Sequence, residues 1–174
     1  MQSNEQEIIP ESPEAKVEAA IRGRFMMMAC DVEFSLMRIM ANCSPNPLNQ
    51  IRRFNSEEMR MHNKIEATIC DLKKYKLHYY EEYKDRLAIL WEFKIIRNDL
   101  AHYKMTIDKT ADPILFNLWL IADDVNSKDK LHYKPYTADY LEISLSKFRQ
   151  LNIDMEELAD RLLADIENGR NNTS

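Results

Sequence analysis

The chain contains two glycines in 174 residues, and that scarcity constrains its fold more than any other feature. Glycine is the usual residue of tight turns, bulges and strand connections, so a mainly β chain of this length would need more of it. Helices joined by polar links are the alternative, and the apolar residues have the matching period. Val17, Ile21, Phe25, Met28, Val32, Leu36 and Ile39 step by three or four and predict one long helix over 14–42. The segment Cys43-Ser44-Pro45-Asn46-Pro47 ends it, because two prolines do not fit a helix interior. Ser56 followed by Glu57 and Glu58 predicts the start of a second helix, with Met61, Ile65, Ile69, Leu72, Tyr75 and Tyr79 inward.

A third helix is expected over about 82–104. Ile89, Phe93, Ile96 and Leu100 form one stripe and Leu87, Trp91 and Ile95 a second, which predicts a central place in a bundle. No breaker separates helices two and three between Tyr75 and Tyr83. Over 113–136, Leu115–Ile121 and Lys130–Tyr136 flank Asp123-Asp124-Val125-Asn126-Ser127 and predict a β-hairpin; Asp112-Pro113 as a helix start is the competing reading. The last helix, 138–168, carries Leu141, Leu145, Phe148, Met155, Leu158, Leu162 and Ile166, with a break expected near Asn152 where Asp154 and Glu157 form a capping pair. The fold class is thus all-α, an up-and-down bundle of four to five helices with a small hairpin insertion. One domain spans 14–168, between disordered tails at 1–13 and 169–174.

Charge and cysteine content narrow the function classes. A formal net charge of −5 argues against a surface coated for DNA, though a local basic groove remains compatible with it. No apolar run approaches the roughly 20 residues of a membrane span. The opening MQSNEQEIIPESPE lacks an apolar signal core, so a cytosolic protein is expected. Cys30, Cys43 and Cys70 are odd in number and without CxxC spacing, and read as reduced thiols packed as small hydrophobes. His62, His78 and His132 lack metal-ligand spacing, and no phosphate-cradling glycine loop or serine elbow is present, so neither metal nor cofactor is expected.

The residues that carry chemistry are Ile96-Arg97-Asn98-Asp99-Leu100-Ala101-His102-Tyr103. This segment resembles the Arg-x4-His signature of HEPN domains, including the polar residue after the arginine, here Asn98. The long first helix, a motif near the end of a later helix and a closing C-terminal helix also match that family's layout. The resemblance implies a metal-independent RNA endonuclease. Histidine exchanges protons near neutrality, and arginine holds a fixed charge in a fork that fits a phosphate. Attack by the 2′-hydroxyl would leave 2′,3′-cyclic phosphate and 5′-hydroxyl ends.

On an ideal helix Arg97 and His102 stand about 140° apart, which does not aim both at one phosphate. Either the helix end unwinds near His102 or two copies of the motif build the site, and the resemblance favours the second: HEPN ribonucleases commonly pair as homodimers with both motifs on a shared cleft. It also implies an acid on the first helix facing the site, for which Asp31 is the candidate, and a biological setting as a toxin or antiviral effector with a neutralising antitoxin. Asn98, Tyr103 and Lys104 are supporting residues. Some HEPN toxins carry a tyrosine two residues after the histidine that a partner enzyme modifies; Lys104 stands there in this chain, with Tyr103 directly after His102. Lys73, Lys74, Lys76 and Lys94 are weaker candidates for RNA contact, the first three lying among tyrosines that suit base stacking. Two bland readings compete. The lysines among the tyrosines read first as a solvated face with the rings packed in the bundle, and Arg97 and His102 have the competing reading of a buried, internally paired core feature of a non-catalytic helical interaction module.

Overall fold

A computed structural model describes residues 12–56, 59–119 and 133–171, with the backbone alone at 133, 170 and 171. Helix α1, Pro13–Cys43, begins where the Ser12 side chain accepts from the Ala15 amide at 3.1 Å, with Pro13 in the first turn. It buries Phe25, Met28, Val32, Leu36 and Ile39, as the stripe predicts, while Val17 at its start is exposed. A short helix that the sequence reading lacked, α2 at Pro47–Phe54, follows the break. Asn46 accepts from the Asn49 amide and Pro47 occupies the first turn, so these residues start a helix as well as ending one. Ser56 does not open the next helix: its hydroxyl donates to the Arg53 carbonyl at 2.8 Å and closes α2. Glu57 and Glu58 lie outside the described residues.

Helix α3, Met61–Tyr75, starts after Arg60 without a side-chain cap. It is separated from α4, Leu77–His102, by the single non-helical residue Lys76, whose ammonium lies 3.8 Å from Asp165. On α4 the buried apolar residues are Tyr79, Tyr83, Leu87, Leu90, Phe93, Ile96 and Leu100, whereas Ile95 is exposed and Trp91 half-buried. The central helix is therefore α1, which packs on each of the other four.

The chain leaves α4 at His102, and Lys104–Asp108 forms strand β1 rather than a last helical turn. The expected hairpin is present as β2, Leu115–Trp119, antiparallel to β3, Tyr133–Thr137, with Phe116 opposite Tyr136; residues 120–132 lie outside the described residues. With β1 it makes a three-stranded antiparallel sheet in the order β1-β2-β3. Asp112-Pro113 belongs to the β1–β2 connection and starts no helix. Met105, Phe116, Leu118 and Tyr136 cover the ends of the helices with the sheet's buried face. The fold is therefore mainly helical with a small sheet.

Helix α5, Ala138–Asn171, runs unbroken. Asn152 donates to Glu156 inside the helix, Asp154 accepts from Gln150, and Glu157 accepts from the Tyr83 hydroxyl, so no capping pair interrupts it. Phe148 sits edge-on to Phe25 and Phe93, with ring centroids 6.2 and 5.0 Å away, and joins α1, α4 and α5 in one core. Of the predicted tails, 1–11 and 172–174 lie outside the described residues, and Pro13 and 169–171 are helical. Among the described residues no helix is long and apolar enough to cross a membrane. Cys43 is buried as expected, but Cys30 and Cys70 are exposed.

Candidate functional site

Helices α3 and α4 pack as a pair across the short Lys76 link, so the start of α3 lies beside the middle of α4, where His62 meets Trp91, and the last turns of α4 run on past it, with α1 against both. A cleft of about 750 Å³ opens between them. Lys94, Arg97, Asn98 and His102 of α4 form one wall, Met59 to His62 and Lys64 the other, and Glu33 comes from α1. The two motif residues thus meet the same space within one protomer. On α4 the 140° between them is spanned by Lys94 and Asn98, which also line the cleft.

His102 is exposed in the last turn of α4, not buried and paired. Arg97 is half-buried; one guanidinium nitrogen donates to Asn98 Oδ1 at 3.1 Å, and its Nε is enclosed without a hydrogen-bond partner. Among the described residues no carboxylate pairs with Arg97, Arg60 or Lys94. Lys64 does have one: it pairs with Glu33, and its ammonium lies 4.6 Å from the centre of the Phe54 ring. The lining therefore holds four permanent cations and one carboxylate in a chain of net charge −5. Such concentration of one sign in a concave wall attracts an anion such as phosphate.

Asp99, the residue between the two, faces the opposite way. Its buried carboxylate accepts from Lys134 Nζ and from the Tyr136 hydroxyl, both at 2.6 Å, and ties the end of α4 to strand β3. Burial, and then the neighbouring Asp99 carboxylate, push the Tyr136 phenol well above its ordinary value, so it stays a donor. On the far side, Arg22 of α1 donates to the Tyr103 carbonyl at 2.5 Å while also pairing with Glu18. The backbone on both sides of His102 is thereby held by neighbouring elements.

Several candidate residues fall elsewhere. Asp31 lines a different groove with Arg24, Met27, Arg149 and Ile153 between α1 and α5; Glu33 is the acid of α1 that reaches the cleft. Two residues along a helix are about 200° of rotation, so the two acids occupy nearly opposite faces. Neither Arg24 nor Arg38 pairs with Asp31, since they engage Glu142 and Asp160 of α5. Lys104 is exposed on β1, and Tyr103 packs against the core; neither lines the cleft. Lys73 lies over Tyr80 and Lys74 over Tyr75, at 4.6 and 4.7 Å, and Lys76 faces Asp165. None of those three lysines lines the cleft, and Lys94 alone of the four joins Arg97 and His102.

Sequence reasoning missed Glu33, Arg60, Lys64 and His62. His62 lies 3.3 Å from Glu66 Oε1, with its ring centre 5.1 Å from that of Trp91. It carried no signal because the cleft residues it stands near, Lys94 and Arg97, belong to another helix. Among the described residues, no three His, Cys, Asp or Glu side chains gather to hold a metal ion. Cys43 is a poor nucleophile: burial, and then Asp71, push its thiol up to about 12. No family model, curated protein or solved structure matches the chain.

Proposed function

We propose that this chain is a metal-independent RNA endonuclease of the HEPN type, acting through Arg97 and His102. The observation that carries the reading is that both residues open onto one cationic cleft, with the arginine free of any described carboxylate. Arg97, Lys94 and Arg60 bind the scissile phosphate and offset the charge that grows on its oxygens. His102 exchanges a proton with the reacting oxygens, and Asn98 orients the guanidinium. The 2′-hydroxyl of RNA is the nucleophile, so DNA resists. A cytosolic location, a homodimer, a role as toxin or antiviral effector and a neutralising antitoxin belong to this proposal through the HEPN resemblance.

The test is incubation of purified protein with a mixed RNA pool in EDTA, beside His102→Ala and Arg97→Lys. Cleavage by the wild type alone, leaving 2′,3′-cyclic phosphate ends, is the expected result. Cleavage that persists in both variants, or none by the wild type, overturns the reading.

A second reading has one observation of its own. Met27, at 72% exposure, and Ile153, at 55%, line the α1–α5 groove beside Arg24, Arg149 and Asp31. An apolar strip rimmed by charge is what a helical interaction module presents to a partner. Growth arrest on induction, relieved by His102→Ala, is expected of the nuclease and not of the module.

A further inference from the structure

Lys73 and Tyr80, part of the basic and aromatic run singled out in the sequence, have no place in the cleft but line a hollow of their own. This groove, of about 500 Å³, lies between α3 and α4, with Cys70 and Lys73 on one side and Tyr80, Lys84 and Trp91 on the other. Helical spacing sets where it runs. Tyr80, Lys84, Leu87 and Trp91 follow one another by three or four residues, so they share one face of α4. Lys94, Asn98 and His102 continue the same row into the cleft. On α3, His62, Glu66, Cys70 and Lys73 make the facing row. The two hollows therefore lie end to end along one seam. They meet where the His62 ring, which lines the cleft, stands 5.1 Å from the Trp91 ring, which lines the groove.

Along the axis of α4, His102 is about 17 Å from Trp91 and about 33 Å from Tyr80. A single phosphodiester at His102 leaves that length empty, whereas a strand of several nucleotides fills it. We infer that the groove is an extended substrate site, in which bases of a single-stranded RNA running on from the cleft stack on Trp91 and Tyr80. The inference rests on the endonuclease reading and adds to it the form of the substrate.

The lining suits that ligand. Every base has an aromatic face, so stacking on an indole or a phenol accepts any sequence, and lysines among the rings follow the phosphates. A duplex keeps those faces covered, so the strand is unpaired. Trp91 and Tyr80 are half-buried: each packs against the core and still opens on the groove, which orders the rings before a base arrives. Lys73 Nζ lies 4.6 Å from the centre of the Tyr80 ring, and no described carboxylate pairs with it. Lys94 Nζ lies 5.8 Å from the centre of the Trp91 ring, so a cation stands at the passage between the hollows. Lys84 pairs with Glu81 at 3.1 Å, and Glu66, the one acid of the lining, stands 3.3 Å from His62.

Cys70 supplies a readout that needs no catalysis, because it is exposed and lines the groove, while Cys30 is exposed on α1 and Cys43 is buried. Maleimide labelling of the full chain is compared without ligand, with a 2′-O-methyl uridine dinucleotide, and with a 2′-O-methyl oligouridine of about 8 nucleotides. Neither probe carries the attacking hydroxyl. The longer probe alone should protect Cys70, and Cys30 should label at one rate throughout. Affinities come from fluorescence anisotropy of the same probes carrying a 5′ label. Trp91→Ala should weaken the longer probe about 5–150-fold and leave the dinucleotide unchanged, with Trp91→Phe restoring most of the loss. Lys73→Glu, at an exposed position, should also weaken the longer probe alone, whereas Arg97→Lys should weaken both. Free labelling of Cys70 when the longer probe is saturating, equal affinities for the two probes, or an equal loss on both in Trp91→Ala overturns the inference. In each of those cases a dinucleotide that still depends on Arg97 leaves the cleft reading standing. Binding of neither probe overturns both.

Discussion

Asp99→Ala removes the carboxylate that ties the end of α4 to the sheet, and its cost follows from what is left behind. The Tyr136 hydroxyl is buried and gives its one proton to that carboxylate at 2.6 Å. A hydrogen bond to a charged acceptor contributes about 1.5–3 kcal/mol. Lys134 bonds to the same oxygen, but its side chain is 47% exposed, so solvent screening limits its share to about 0.5 kcal/mol. The expected destabilisation is therefore about 2–3 kcal/mol, a fall in Tm of roughly 4–12 °C for a domain of this size. Urea and thermal unfolding followed by circular dichroism would measure it, with Tyr136→Phe and the double variant completing a cycle. The couple also has a pH signature. Because the folded state holds the Tyr136 proton more tightly than the ordinary value of 10.0 implies, its stabilisation is intact below that pH and lost as pH rises beyond it; Tyr136→Phe should flatten this alkaline limb. A cost for Asp99→Ala below about 0.5 kcal/mol, or strict additivity with Tyr136→Phe, would refute the reasoning.

Two further outcomes follow from other residues. Asp71 is buried with Oδ2 unpartnered; burial pushes its carboxyl up, against the opposing pull of Arg53 and Lys74. The folded state thus favours the protonated acid, and stability declines as pH rises from the ordinary value of 3.8 through the raised one, so Asp71→Asn should gain about 1 kcal/mol at pH 7 and nothing in acid, by urea titration at both. Lys94→Ala removes one cleft cation, and should weaken single-stranded RNA binding and lower the slope of log K against log salt by about 0.7, measured by fluorescence anisotropy.

The long helices α1 and α5 were legible because many turns repeat one apolar stripe. Shorter and subtler features were not. In α2 the prolines signalled an ending, and eight residues are too few to show a period. At Lys76 the helix stops without glycine or proline, so nothing in the residue types marks the join. Strand β1 continues the α4 pattern with Met105 and Ile107, two apolar residues that suit either structure. The girth of α4 misled, since Trp91 and Ile95 suggested burial on every side whereas α3 and α5 leave that flank partly open. At the cleft, Arg97, Asn98, Lys94 and His102 were legible from local spacing. Asp31 and Glu33 were not separable, because which of two nearly opposite helix faces meets α4 is decided by tertiary packing.

The pairing of α1 with α5 has a consequence for how the molecule comes into being. Arg24 reaches Glu142, Arg38 reaches Asp160 and Phe25 meets Phe148, contacts that each span more than a hundred positions of chain. Loops that long close slowly, and none of these contacts exists until α5 has been synthesised. A growing chain that has made α1 to α4 already contains every residue of the cleft, yet one side of its central helix has no cover. Assembly of a rigid cleft is thus deferred to a late moment in translation, and the nascent chain carries an open apolar seam on α1 that a ribosome-associated chaperone would meet first.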